Sequence, residues 1–197
     1  MPLTARIRWW HIAAALGLTA ALDLYELFVT IPGLAGISPQ PIFDMRVGGY
    51  GVTEAQALLT ALGADGRWYY LSRHVPADTL LAIIEAIAIS LIILRVTRPQ
   101  GRFAIAVPGS GRAVMLAAPA ATLFLDVCEN ALVTHMLIGE APNAAVVSTA
   151  SLATQGKWVF ASLSIALALI VPPAAWLRGR WRDRSRNPAQ SQQPSPR

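Results

Sequence analysis

Apolar residues run along this chain in four long blocks, at about 9–31, 79–96, 113–138 and 157–177. Each is close to the roughly 20 residues that a helix needs to cross the hydrocarbon of a bilayer. The pattern predicts an all-α membrane protein, a four-transmembrane-helix bundle over residues 1–177. The stretch between the first two blocks, about 36–77, reads differently. It opens with Pro39 and Pro41, passes Gly48-Gly49-Tyr50-Gly51, and then mixes polar and apolar positions. Thr53 to Leu62 predicts a short helix with Thr53 as its cap, Gln56 at the capping-box position, and Gly63 and Gly66 ending it. Arg67 to Leu71 predicts a strand. The expected product is a small ordered strand–helix–strand cap between spans one and two, because long ordered loops are usually functional.

Basic residues set the expected orientation. Arg6, Arg8, Arg95, Arg98, Arg102 and Arg112 fall on one side, joined by Arg178, Arg180, Arg182, Arg184, Arg186 and Arg197, so that 12 of the 16 basic residues share it. The positive-inside rule makes that side cytoplasmic. Both termini are then expected in the cytoplasm, the cap outside, and the protein in a cell inner membrane. Trp9, Trp10, Trp176 and Trp181 mark the inner interface and Trp158 the outer one, as the amphipathic indole favours. Arg6 and Arg8 ahead of an apolar run also suit a signal peptide, with a cleavage site near Thr19-Ala20-Ala21. Apolar residues resume after Asp23 and Glu26 and continue to Ile31, which favours a retained span.

Composition agrees. Of 197 residues, 54% are hydrophobic and 14% charged, with a mean hydropathy of +0.47. A soluble domain carries about 25% charged residues. The single Cys128 excludes an internal disulfide or a CxxC pair. Net charge is +5, but its surplus sits beside the spans and in the tail 178–197. That tail is basic and then rich in Pro, Ser and Gln, a composition expected to stay disordered. Its expected partner is anionic lipid. No nucleic-acid partner is expected, since no aromatic interleaving accompanies the charge. A homo-oligomer is among the expectations, four helices being few for a transporter.

Five carboxylates interrupt the apolar blocks: Asp23, Glu26, Glu85, Asp126 and Glu129. No arginine or lysine inside the blocks balances them. Charge at bilayer depth is expensive, so such groups are candidate functional residues. Counted from the span ends, Asp23, Glu85 and Glu129 fall about 9–14 Å below the outer surface, with Glu26 a turn above that layer and Asp126 a turn below. Asp23/Glu26 and Asp126/Glu129 are i,i+3 pairs on one helix face, and Leu-Asp-x-x-Glu recurs at both places. All five are expected to face the bundle axis. Clustered there, they are protonated and hydrogen-bonded, or hold a cation, or exchange protons. Asn130 joins them as a ligand candidate. Arg46, Arg67, Arg73 and His74 are candidates to reach down from the cap as counter-ions or to meet a lipid headgroup. A metal would need hard, carboxylate chemistry; no Glu-x-x-His pair is present, and no metal or cofactor is assigned. No paired thiol or serine nucleophile is visible. Pro119 predicts a kink in span three, and Pro172-Pro173 a bend or end in span four.

Phe43-Asp44, Gly49-Tyr50, Leu62-Gly63, Gly66-Arg67, Tyr70 and Asp78, followed by Asp126-x-x-Glu129-Asn130 and Lys157, resemble uncharacterised small four-span membrane proteins of bacteria. The resemblance covers about three-quarters of the chain. It implies four helices and an ordered outer cap, and it carries no known activity. Three function classes stay open: a site for a proton, cation or small polar ligand, with transport as one use; an enzyme acting on a lipid or isoprenoid substrate; and a structural protein whose protonated acids pack helices.

Overall fold

Six helices carry the chain in the computed structural model, which describes residues 7–98, 104–105, 107–139 and 141–186, the side chains only as far as 181. They are α1 (Trp9–Tyr25), α2 (Ile31–Ile37), α3 (Val52–Tyr69), α4 (Val75–Val96), α5 (Gly109–Ile138) and α6 (Ala144–Arg186), with a short 3-10 turn at Phe43–Met45. No strand occurs among the described residues. Four continuous helical stretches are long and apolar enough to cross a membrane: Trp9–Ile37, Val52–Val96, Gly109–Ile138 and Ala144–Trp181.

Two of these stretches are single helices only by virtue of a π turn. Glu26–Thr30 joins α1 to α2, and Tyr70–His74 joins α3 to α4. In each, the N–H closing the turn reaches back five residues, Ile31 to the Glu26 carbonyl and Val75 to the Tyr70 carbonyl. The next residue in both cases is proline, Pro32 and Pro76. Proline has no N–H, and its ring collides with the carbonyl four residues back. Widening the preceding turn by one residue relieves that collision and lets the helix continue.

Segment 38–69 folds onto the end of the bundle where α5 meets α6. The buried face of α3 (Ala55, Leu58, Leu59 and Leu62) follows i,i+3,i+4,i+7 spacing and shares one core with Phe43, Tyr50 and Tyr70. Val133, Met136 and Leu137 of α5 and Val147 and Ala150 of α6 complete it. Gly33 permits Tyr69 to lie against α2, where any Cβ would strike the ring. The Tyr69 hydroxyl then donates to the Val29 carbonyl at 3.1 Å. At the other end of the bundle, Val96, Val171 and Ala175 form a smaller core, and Arg112 closes α4 by donating to the Thr97 carbonyl at 2.8 Å.

Several expectations change. The predicted strand at 67–71 is helix and π turn, because Arg67 to Leu71 bury Tyr70 and continue the α3 face. The helix expected over 53–62 runs Val52–Tyr69 instead, capped by Gly51, whose N–H donates to Glu54 Oε2 at 2.7 Å. Gly63, with φ of 58°, interrupts it without ending it. The second span has no separate start at Thr79. The fourth begins at Ala144 rather than Lys157 and passes through Pro172 and Pro173. The tail expected to be disordered over 178–197 is instead helical as far as Arg186, the end of α6; residues 187–197 lie outside the described residues, as do Arg6, Arg102 and Glu140.

Candidate functional site

Lys157 stands at the centre of the buried polar groups. Its Nζ lies 3.0 Å from Asp44 Oδ1, 2.9 Å from Asp126 Oδ1 and 2.6 Å from Glu129 Oε2. Asp78 Oδ2 follows at 3.8 Å. The contact to Asp44 is also a hydrogen bond, and those to Asp126 and Glu129 are close ion pairs. A lysine is therefore enclosed within the helices, contrary to the expectation that no basic residue balances the acids. The fourth apolar block begins at Lys157, which sets it at the end of a span; α6 begins at Ala144, which puts Lys157 three turns inside the helix.

Each partner is held by its own element. Asp126, Glu129, Asn130 and Val133 form one buried face of α5. Asn130 Nδ2 donates to Asp78 Oδ2 at 2.8 Å, to Asp126 Oδ2 at 3.1 Å and to Thr79 Oγ1 at 3.1 Å. Thr154, one turn before Lys157 on α6, donates to Glu129 Oε1 at 2.5 Å. Asp44 comes from the 3-10 turn of segment 38–69. Its carboxylate accepts the Tyr70 hydroxyl at 2.6 Å and faces His74 Nε2 at 3.2 Å, while its backbone carbonyl accepts Trp158 Nε1 at 2.8 Å. Burial works against charge on Asp44. Lys157 and His74, with the Tyr70 hydroxyl, outweigh it and hold this carboxyl well below the usual carboxylate range.

The π turns place the remaining polar groups. Thr30, the last residue of the first, lies with its Oγ1 2.9 Å from Nδ1 of His74, the last residue of the second. Thr30, His74 and Asp44 thus follow the partner order of a hydroxyl nucleophile, base and acid. Thr30 is fully buried, so the hydroxyl joins two turns and meets no substrate.

Beside this network lies a cavity of about 500 Å³. Asp44, Asp78, Asp126, His74 and Lys157 form its polar wall, and Leu81, Ala82, Trp158, Ala161 and Ile165 its apolar one. Asp23, Glu26 and Glu85 also line it. Among the described residues, no hydrogen bond or ion pair engages these three side chains. Glu26 is only 8% exposed, and its Oε1 is buried with no partner.

Two Leu-Asp-x-x-Glu motifs therefore have different surroundings. The second is consumed by Lys157; the first faces the cavity unpaired. Asp23 is exposed at the mouth, not turned to the bundle axis as expected, and Glu85 is half-buried. Glu129 is fully buried behind Lys157 and does not line the cavity. Of the basic candidates, only His74 joins the network. Arg67 instead donates to the Leu59 and Gly139 carbonyls, at 3.1 and 2.8 Å, tying α3 to the end of α5. Arg46 donates to the Pro41 carbonyl at 3.0 Å, and Arg73 is exposed. Lys157, Asp44 and Asp78 were not among the site candidates read from the sequence. Among the described residues, no group of three or more His, Cys, Asp or Glu is arranged to hold a metal ion. The lysine ammonium takes the central position that a metal would need.

Comparison with protein-family models, with curated proteins and with solved structures finds no match to this chain.

Proposed function

We propose that the chain is a multi-pass membrane protein whose cavity binds a small organic cation in exchange for protons. One observation carries this reading. Lys157 and His74 are committed to the inner acids, so the carboxylates that face the cavity without partners, Asp23, Glu26 and Glu85, leave it with a surplus of acid. Acids that share one cavity resist ionising together, and in the proposed exchange a bound cation takes the place of protons on them. Exchange of this kind is the binding step of a proton-coupled transporter.

The arginine distribution supports an inner-membrane location with both termini in the cytoplasm and segment 38–69 as an outer cap. Arg95, Arg98 and Arg112 gather at the end of the bundle away from that segment. There Arg95 lies over the Trp9 ring at 5.0 Å and Arg180 over the Trp176 ring at 4.6 Å, as suits a basic, aromatic interface. The helical end of α6, with its further arginines, is the proposed contact for anionic lipid.

Calorimetry with tetramethylammonium tests the site on protein in nanodiscs, using two buffers of different ionisation enthalpy. Binding with a buffer-dependent heat, which reports proton release, is expected. The variant carrying Asp23→Asn, Glu26→Gln and Glu85→Gln should lose both while melting near wild type. If wild type neither binds the cation nor releases protons, the acids serve packing alone. A second reading, an enzyme acting on a lipid or isoprenoid, is favoured by His74 and Asp126 standing on the cavity wall as acid–base groups. Turnover of such a substrate, lost in Asp126→Asn, would replace exchange as the function.

A further inference from the structure

The cavity has an open side as well as a charged wall. Among the described residues, α1 packs closely along α4 and at most sparsely against α5 or α6, whereas α4, α5 and α6 pack against one another. The bundle is therefore unclosed between its first and last helices. The residues that border this gap also line the cavity: Asp23 from α1 and Glu26 from the π turn after it, and Trp158, Ala161 and Ile165 from α6. Ile42 and Asp44 close the cavity at the segment 38–69 end. The exposed Asp23 carboxyl marks the mouth, and the flanks beyond it are apolar, with Leu24 and Leu27 on one side and Leu169 on the other exposed. Glu26, with its buried and unpartnered Oε1, points into the space behind.

From this we infer that the ligand is a lipophilic cation, an ammonium head on an alkyl chain, which enters sideways from the bilayer between α1 and α6. The inference rests on the cation-site reading above and adds the ligand class and its route. The head sits among Asp23, Glu26 and Glu85, with the Trp158 ring offering a π face to the ammonium. The chain lies against Ala161 and Ile165 and leaves through the gap into lipid. A water-soluble cation would use the acids alone and gain nothing from the open, apolar side.

A test uses full-length protein in nanodiscs of zwitterionic lipid and an alkyltrimethylammonium brominated a few carbons from its head. Bromine quenches tryptophan nearby, and the part of the quenching absent from Trp158→Phe reports occupancy of the cavity. Competitors are decyltrimethylammonium, tetramethylammonium and decanol. The decyl cation should displace the probe at a concentration more than about tenfold below tetramethylammonium, because each methylene adds apolar burial. Decanol should not displace it. Ala161→Phe should weaken the decyl cation and spare tetramethylammonium. Ile165→Phe, at an exposed position that cannot overpack a core, should do the same. Equal competition by the two cations, or displacement by decanol, overturns the lipophilic-cation inference and leaves the cation site standing. No saturable quenching, together with no proton release by tetramethylammonium, removes both.

Discussion

Lys157 Nζ and Asp44 Oδ1 lie 3.0 Å apart although 113 positions separate them in the chain. The pair fastens segment 38–69 to α6. The same ammonium also holds Asp126 and Glu129 of α5. Removing one member of a buried ion pair leaves the other uncompensated and costs about 3–5 kcal/mol. Lys157→Met is expected to destabilise the fold by that order, read as a lower melting temperature. Lys157→Arg should also destabilise, since a planar fork does not reproduce three donors converging from one nitrogen. Thermal melts in nanodiscs check both, and a Lys157→Met protein that melts with wild type would show that the cluster holds nothing together.

Asp44 gives the protein an acid limit. Its folded-state pKa is depressed, by Lys157 and His74 acting against burial. Such a group stabilises the fold above its unfolded value of about 3.9. That contribution fades as pH falls below about 4 towards the lowered folded value. Asp44→Asn should therefore melt well below wild type at pH 7, with the gap narrowing steadily under pH 4. A gap of constant size across that range would assign the stability to hydrogen bonds rather than to charge.

Gly49 sets the approach of segment 38–69 to α6. It has φ of 87°, and a Cβ there would lie 2.8 Å from Ser151 Oγ and 2.5 Å from Gln155 Nε2. Ser151 Oγ accepts the Tyr50 N–H at 2.8 Å, so it is not free to move aside. Gly49→Ala should cost about 1–3 kcal/mol, as strained backbone does. Gly63 also has positive φ, at 58°, but meets nothing within 4 Å. Its ψ of −164° lies in a region that is essentially glycine's alone, so Gly63→Ala should cost backbone strain only, less than Gly49→Ala, which adds the clash with Ser151 and Gln155. Equal melting temperatures for the two variants would contradict this difference.

The four long helices were legible in the sequence because hydropathy over 20 residues is a strong, local signal. The carboxylates inside them were legible for the same reason. What carries the network was not. Asp78 and Lys157 lie at the edges of apolar blocks and Asp44 between two of them, where a charge ordinarily meets water, and only the folding of segment 38–69 onto α5 and α6 encloses them. Lys157 had one local cue, since Ser151, Thr154 and Lys157 recur every three residues as a polar stripe. The π turns had another, since Pro32 and Pro76 each interrupt an otherwise helical run. Read as a strand, Arg67 to Leu71 gave no reason to connect His74 with Thr30. The open side between α1 and α6 has no sequence signal, because it depends on which helices pack.

Thr30 and His74 offer the last prediction, because a single hydroxyl ties the two π turns. Thr30 Oγ1 lies 2.9 Å from His74 Nδ1, and His74 Nε2 lies 3.2 Å from Asp44. Thr30→Val keeps the shape and removes the hydroxyl, leaving a buried ring nitrogen without its partner. A buried group so stranded costs about 1–3 kcal/mol. Thr30→Ser retains the hydroxyl, loses one methyl group, and should recover most of that loss. If the pair only fills space, the order reverses, because valine fills the site and serine leaves a void. Melting temperatures of the two variants decide the matter. His74 imidazole resonances add a second readout, since only Thr30→Val removes the neighbour that fixes the ring's orientation towards Asp44.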